Sequence, residues 1–118
     1  MISITIPTPD VTIFKQVDPQ LSHICGFTDF HLITREKGGF FAFYNDKDEL
    51  LFVGKARKLR PRIKKHFEDS VSVMKNHRDE VNKIEVYVNE NPVERDIYET
   101  YLINNMRARY NVEKVFYK

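Results

Sequence analysis

The chain has 118 residues, 42% of them hydrophobic, and a formal net charge of +2 at pH 7. This length and composition predict one globular domain, while so small a net charge predicts no particular partner. Cys25 is the only cysteine, which excludes an intrachain disulfide and favours a reducing, cytoplasmic location. Because the sequence has neither a long apolar run nor a secretory signal pattern, we expect a soluble protein without membrane contact.

The first 37 residues give weak and mixed signals. Residues 2–7 alternate apolar and polar side chains, which is typical of a short edge strand, and residues 11–14 form a second extended stretch. Residues 19–25 predict a helical turn, and residues 28–35 predict a short helix with a polar cap. We interpret residues 1–37 as an N-terminal extension packed on the core, with a surface available to a protein partner or to a second copy in a homodimer.

Two short apolar stretches follow this extension. Residues 39–45 and 49–54 are rich in Phe, Leu and Val, and they predict two strands. The intervening residues 45–48 (Asn-Asp-Lys-Asp) have the side chains that form local turns. Because both faces of each strand are apolar, we expect the hairpin to lie in the middle of a sheet that is covered on both sides.

A basic segment comes directly after the hairpin. Seven positive charges fall within eleven residues without an intervening acid: Lys55, Arg57, Lys58, Arg60, Arg62, Lys64 and Lys65. Leu59, Ile63 and Phe67 recur at the spacing of one helix face. Pro61 requires that this helix begin close to it. The charge is either that of a solvated surface helix or that of a nucleic-acid contact, and its concentration favours the second interpretation.

The second half of the chain predicts two helices with a strand between them. Residues 70–82 predict a helix, and residues 83–89 alternate strictly, which predicts the third strand of the core. Asn91 and Pro92 are a strong helix start, and the helix is expected to run to about residue 107 with most of its circumference buried.

Glu99 is conspicuous on this last helix because it lies among apolar side chains. An ion pair with Arg95, one turn earlier, would stabilise a surface helix by only about a few tenths of a kcal/mol. The carboxylate therefore needs a stronger partner than that pair, and its identity stays open at this point.

Three short motifs occur in a fixed order between residues 38 and 112. They are Gly39-Phe40-Phe41, then Phe52-Val53-Gly54-Lys55, and finally Arg109-Tyr110-Asn111, with Arg62 and Glu99 on the helices between them. This ordered set resembles the GIY-YIG nucleases, in particular the UvrC-like nuclease domains of bacterial excision repair. The resemblance implies an α+β fold: a small central three-stranded, mostly antiparallel sheet flanked by helices, preceded by residues 1–37 and followed by a tail at 113–118.

The resemblance also implies a function, namely metal-dependent hydrolysis of DNA phosphodiester bonds in DNA repair, such as nucleotide excision repair, or in other DNA processing. It implies that Glu99 binds Mg²⁺ or Mn²⁺. The alternative is that Glu99 forms an ion pair with Arg95 or with another basic side chain. Arg62 would clamp the phosphate, Lys55 would add a positive charge, and His66 or a water held by the metal would be the base. The further substrate-binding candidates are Arg57, Lys58, Arg60, Lys64, Lys65 and Asn111.

The sequence departs from the family at both signature tyrosines, which are Phe41 and Phe52 here. A phenylalanine keeps the aromatic ring but can neither donate nor accept a proton. Tyr44 cannot replace the first tyrosine, because positions 41 and 44 face opposite sides of a strand. Two alternatives therefore stay beside the endonuclease: a catalytically impaired nucleic-acid-binding module on the same fold, and a protein-interaction domain that binds through residues 1–37.

Overall fold

The computed structural model describes residues 4–16 and 25–117. Within these ranges the chain forms four strands and two α-helices, joined by loops that include two short 3₁₀ turns. The strands are β1 (Val11–Phe14), β2 (Gly39–Tyr44), β3 (Leu50–Ala56) and β4 (Lys83–Val88), and the helices are α1 (Leu59–Glu68) and α2 (Pro92–Asn105). Neither α-helix of these ranges has the length and apolar character that a membrane crossing needs.

The sheet has the strand order β1-β4-β2-β3, and each neighbouring pair is antiparallel. The predicted α+β class is confirmed, but the predicted number of three strands is wrong. The fourth strand is β1, in which Val11 pairs with Val86 and Phe14 pairs with Lys83. The predicted central position of the hairpin holds for β2 and is wrong for β3, which is an edge strand.

The outer edge of β3 is covered by the closing segment, which we define as residues 109–111. The backbone N–H groups of Arg109 and Tyr110 donate to the carbonyls of Leu50 and Leu51 at 3.2 and 2.8 Å. The closing segment, although it is not a strand, therefore bonds to the edge of β3 where a fifth strand would otherwise pair.

The side chains of β2 alternate between two cores. Phe41 and Phe43 face α1, whereas Phe40 and Ala42 face α2, and all four are fully buried. The two helices therefore cover opposite faces of the sheet. Tyr44 belongs to the α2 side, so the prediction that it lies on the face opposite Phe41 is confirmed.

The described part of the N-terminal extension packs on α1. The ring of Phe27 lies 5.6 Å from that of Phe67, measured between centroids. Arg60 donates from Nε to the carbonyl of Ile33 at 2.7 Å and from Nη2 to the carbonyl of His31 at 2.8 Å. These contacts give the extension a structural role, and its use by a protein partner or a homodimer stays a prediction.

The predicted helix at residues 70–82 is wrong. The structure has turns there, followed by a 3₁₀ turn at Arg78–Glu80. Asp69 Oδ1 accepts from the N–H of Ser72 at 3.0 Å, and Ser72 Oγ accepts from the N–H of Met74 at 3.0 Å. Such side-chain bonds compete with the helical bonds of the backbone, which explains the turn structure.

Of the short elements predicted before β2, the extended stretch at 11–14 is confirmed as β1, whereas two others differ from the structure. Residues 28–35 contain only the 3₁₀ turn Phe30–Leu32, and Asp29 at its start makes no side-chain cap bond. Residues 4–7 are not in a strand. The rest of the predicted strand at 2–7, and all but the last residue of the predicted turn at 19–25, lie outside the described residues.

Helix α2 begins as predicted. Asn91 Oδ1 accepts from the N–H groups of Val93 and Glu94 at 2.9 and 3.1 Å. Its expected burial around most of the circumference is wrong, since Val93 is 65% exposed and Ile97 is 48% exposed. The sheet covers only one side of the helix, which is the side that bears Glu99 and Leu102.

Candidate functional site

Two adjoining clefts lie where the end of β3 meets α1 and α2. The inner cleft, with a volume of about 470 Å³, has in its wall Phe52, Lys55, Arg62, His66, Glu99, Asn111 and Lys114, with other residues. The structure therefore brings together all four predicted catalytic residues from three separate elements. Lys55 is the last residue but one of strand β3, α1 presents Arg62 and His66 one turn apart, and α2 presents Glu99 from the other side.

The second cavity, which we call the basic cleft, has a volume of about 730 Å³ and shares Lys55, Arg62 and Lys65 with the inner cleft. Its wall consists of Lys55, Ala56, Arg57, Lys58, Pro61, Arg62, Lys65, Pro92 and Arg95. No acid is among these described residues. The predicted basic surface is thus a concave cleft that opens beside the inner cleft.

Glu99 is buried, and its carboxylate is bound by a lysine. Lys114 Nζ donates to Glu99 Oε1 at 2.7 Å and also contacts Asp96 Oδ1. Arg95 does not pair with Glu99: its Nε donates to the carbonyl of Asn89 at 2.5 Å, and its guanidinium lies 3.7 Å from Glu90. Of the ion-pair partners predicted for Glu99, the structure therefore shows a basic residue other than Arg95, namely Lys114.

Asp96 and Lys114 extend this charge cluster to the other wall of the cleft. Lys55 Nζ donates to Asp96 Oδ1 at 2.6 Å, so Asp96 receives two ammonium groups. The bonds from Lys114 and then from Lys55 lower the pKa of Asp96 to about 2. Burial acts to lower the pKa of Lys114, but its bonds to Asp96 and Glu99 outweigh burial and raise it above the usual range.

His66 packs against Phe41 and Phe52. Its ring centroid is 4.9 Å from that of Phe52 and 5.6 Å from that of Phe41. Burial, and then the nearby charge of Arg62, lower the pKa of His66 to about 4. The imidazole is therefore neutral at pH 7, and its Nδ1 lies 2.7 Å from Ser72 Oγ.

Phe41 and Phe52 occupy different depths beside this histidine. Phe52 is half-buried and forms part of the wall of the inner cleft. Phe41 is fully buried and lies behind it, on the same face of the sheet. A group added to the ring at position 52 would therefore have a shorter path to the cleft.

The UvrC-like GIY-YIG domain family matches residues 37–112. The chain belongs to this family. The match covers β2, β3, α1, β4, α2 and the closing segment, and it excludes β1 and the tail. Apart from Glu113 and Lys114 of the tail, the residues that line both clefts belong to the GIY-YIG domain.

The relatives of this GIY-YIG protein differ in the share of their own length that the chain matches. The uncharacterized protein YurQ of Bacillus subtilis is 60% identical over 124 residues, and the match covers 100% of both chains. The UvrABC system protein C of Clostridium tetani is 33% identical over 84 residues, which are 65% of this chain and 13% of that protein. The chain therefore spans a small part of the UvrC relatives.

Solved structures of the N-terminal GIY-YIG endonuclease domain of UvrC from Thermotoga maritima have the same fold. A domain bound to magnesium as its catalytic divalent cation is 28% identical with a TM-score of 0.61, and the match covers 69% of this chain and 90% of that one. A point mutant with phenylalanine in place of one tyrosine, also bound to its catalytic cation, is 30% identical with a TM-score of 0.61 over 69% and 90%.

Two predicted substrate contacts of the GIY-YIG domain are engaged in structural bonds. Asn111 Oδ1 accepts from the N–H of Val53, and its Nδ2 donates to the carbonyl of the same residue, both at 2.9 Å. Arg60 is bonded to two carbonyls of the extension. Substrate contact by either residue stays a prediction, as it does for Lys64, which lines neither of the two clefts.

Sequence reasoning did not propose Asp96 and Lys114 as site residues, although Lys114 bonds to both Asp96 and Glu99. Asp96 precedes Glu99 by three residues on one helix, a spacing that places two side chains on the same face and could have identified it. Lys114 follows Glu99 by fifteen residues and comes from the tail. No local pattern in the sequence identifies it.

Proposed function

We propose that the protein is a metal-dependent DNA endonuclease that hydrolyses phosphodiester bonds, with a role in DNA repair or processing in the cytoplasm. The observation that carries this proposal is the inner cleft, in which Arg62, His66 and Glu99 meet from two helices. Membership of the GIY-YIG family supports the same reaction class. The continuous basic cleft beside this site supports a long polyanion as substrate.

The carboxylates of the cluster fit a divalent cation. Asp96 and Glu99 both accept from the ammonium of Lys114, so their oxygens converge on a point that already accommodates positive charge. Carboxylate oxygens are the ligands that Mg²⁺ and Mn²⁺ prefer. Bound there, such a cation would act as a Lewis acid on the phosphate and on the leaving oxygen. We propose Glu99 as its ligand.

Cation-bound structures of a relative indicate what the phenylalanines at positions 41 and 52 would change. Single tyrosine-to-phenylalanine point mutants of the Thermotoga maritima domain are bound to the catalytic divalent cation. In that protein, the loss of one phenol therefore leaves cation binding intact. By analogy, we propose that Phe41 and Phe52 alter proton transfer in this chain rather than metal binding.

Arg62 and Lys55 position the phosphate in this proposal. Arg62 lies in the wall of both clefts, so its planar guanidinium can hold a phosphate where the two clefts join. Lys55 is already paired with Asp96, and this ion pair orients its ammonium toward the same place. Arg57, Lys58 and Lys65 would contact the flanking backbone phosphates, which carry no base sequence information.

His66 is the proposed base, with a specific requirement for its tautomer. If Nδ1 carries the proton and donates to Ser72 Oγ, then Nε2 keeps a free lone pair that can accept a proton from water. The low pKa of His66 keeps this lone pair available at neutral pH but makes it a weak base. We therefore expect slow turnover, and a Ser72→Ala variant should be slower still.

Nicking of supercoiled plasmid and of a branched DNA tests the proposal. Wild type, Glu99→Gln, Arg62→Gln and Phe52→Tyr would be compared with Mg²⁺ or Mn²⁺, with Lys47→Gln as a control on the distant hairpin turn. Cleavage by wild type and Lys47→Gln that is lost in Glu99→Gln and Arg62→Gln is the expected result. Equal cleavage by Glu99→Gln and wild type would contradict the proposal.

The second candidate is a nucleic-acid-binding module that has lost hydrolysis. The specific observation in its favour is that the described inner cleft has Phe52 in its wall, with Phe41 buried behind it, and a lysine on Glu99. This module would bind DNA with an affinity that falls as salt rises, because Lys and Arg displace counterions from phosphates. Binding without cleavage in any variant, including Phe52→Tyr, would favour it over the endonuclease.

A further inference from the structure

The tail that follows the family-matched region folds back onto α2. Asn104 donates from Nδ2 to the carbonyl of Lys114 at 2.7 Å, and its Oδ1 accepts from the N–H of Phe116 at 2.5 Å. Tyr117 donates from its hydroxyl to the carbonyl of Ala108 at 3.1 Å. One helix residue thus holds both sides of a short loop, and the side chain of Lys114 projects from that loop.

The backbone of this loop is constrained at the residue that bears the ammonium. Lys114 has a φ of 59°, in the left-handed region that non-glycine residues seldom adopt. Conformations of this kind cost free energy and persist only where surrounding contacts hold them. Here the contacts are the two bonds of Asn104 and the ion pairs with Asp96 and Glu99.

We propose that Lys114 is an autoinhibitory latch: its ammonium occupies the carboxylate of Glu99 and must leave before a divalent cation can bind there. This inference rests on the proposed function, because it takes Glu99 as the metal ligand. It concerns the tail at 113–117, which lies outside the residues that match the GIY-YIG family.

The distance between Lys114 and Glu99 places the ammonium where it competes with a metal cation for the carboxylate. Mg²⁺ binds carboxylate oxygens at about 2.0–2.1 Å, while the ammonium of Lys114 is already 2.7 Å from Glu99 Oε1. Two positive groups on the same oxygen would lie a few ångströms apart, with strong repulsion in a partly buried site. Metal binding would therefore require the lysine side chain to move away.

Lys55 makes it possible to distinguish the effect of Lys114 on Glu99 from the effect of the overall positive charge of the cleft. Lys55 also carries an ammonium in this wall, and in the structure it bonds to Asp96, not to Glu99. Replacing Lys114 would thus free Glu99 while Asp96 keeps a basic partner. A change in metal affinity would then report on Glu99.

The latch is tested by titrating the full chain with MnCl₂. Calorimetry and the electron paramagnetic resonance signal of free Mn²⁺ would measure the binding. Lys114→Met removes the ammonium and keeps a long side chain, and Lys47→Met is the matched control. We expect Lys114→Met to bind Mn²⁺ at least about tenfold more tightly than wild type, because a charge-assisted bond no longer competes. Lys47→Met should bind like wild type.

Asn104→Ala provides a second, independent variant. It releases the loop without touching a carboxylate or the ammonium, so Mn²⁺ affinity should rise in the same direction as in Lys114→Met. Glu99→Gln combined with Lys114→Met should lose the gain. Circular dichroism of each variant would verify folding before titration.

Two results would overturn the latch. One is an equal Mn²⁺ affinity in wild type and in both latch variants. The other is an absence of Mn²⁺ binding in folded Lys114→Met, because the latch would then have no cation to exclude. Failure of the endonuclease proposal has a different signature, namely tighter Mn²⁺ binding by Lys114→Met without plasmid nicking by any variant.

Discussion

The ring of Phe41 lies over Gly54 on the neighbouring strand. The two residues are register partners in the β2–β3 pair, and a Cβ atom at position 54 would be 2.5 Å from Cζ of Phe41. The second signature motif therefore needs its glycine to make room for the aromatic ring of the first. The two motifs form one packing unit beneath His66.

Gly54→Ala should destabilise the fold through this contact. An added methyl group in a filled core costs about 1–3 kcal/mol, and urea unfolding would measure the loss. The same substitution in a Phe41→Leu background should cost less, because the smaller side chain leaves room for Cβ. An equal cost in both backgrounds would show that strand geometry, and not the ring, excludes alanine.

Restoring the two phenols should have unequal effects. Phe41 is 0% exposed, so a hydroxyl added there would be buried, and without a partner it would cost about 1–3 kcal/mol. Phe52 lies in the wall of the inner cleft, where a hydroxyl can reach solvent. We expect Phe41→Tyr to lower the free energy of unfolding and Phe52→Tyr to leave it nearly unchanged. Equal losses in chemical denaturation would contradict this ordering.

Arg60 and Lys64 should differ although both belong to the basic segment. Arg60→Gln would leave the carbonyls of His31 and Ile33 without their donors, and we expect it to lower the free energy of unfolding by about 1–3 kcal/mol. Lys64→Gln should be close to neutral. Thermal unfolding of both variants would measure the difference, and a stable Arg60→Gln would mean that aromatic packing and backbone bonds hold the extension without the guanidinium.

Stability should fall between pH 7 and pH 5 because of His66. Burial, with Arg62, lowers its pKa to about 4 in the folded protein, whereas an unfolded chain binds this proton near about pH 6.5. Between these values the unfolded state binds more protons, so the free energy of unfolding decreases as the pH is lowered. We expect a loss of about 2 kcal/mol between pH 7 and pH 5, measured by urea unfolding.

His66→Gln should flatten this pH profile. Asp96, whose pKa is lowered to about 2, loses its contribution to stability mainly below about pH 5 and thus outside the window. An undiminished slope in His66→Gln would assign the pH dependence to another group.

The elements that frame the inner cleft were predictable because their signals are local. The spacing of Leu59, Ile63 and Phe67 marks α1, the alternation at 83–89 marks β4, and Asn91 caps α2. These patterns depend on neighbours within one or two turns. The same local reasoning failed at residues 70–82, where Asp69 and Ser72 bond to backbone groups instead of leaving them to a helix.

The rest depended on contacts between distant parts of the chain. The sequence does not show that Val11–Phe14 pairs with β4, because that pairing joins segments that lie far apart in the chain. Arg60 was grouped with the other cations of its segment, although its partners lie up to 29 residues away in the extension. Lys114 likewise became part of the site only through the path of the tail.

The closing segment bears on how copies of this protein behave toward each other. An unpaired strand edge is a template for pairing with another chain, and β3 has apolar side chains on both faces. Residues 109–111 occupy part of that edge, and Asn111 bonds to both backbone groups of Val53. The segment that ends the GIY-YIG domain therefore also shields part of an edge that could otherwise pair with a strand of another copy.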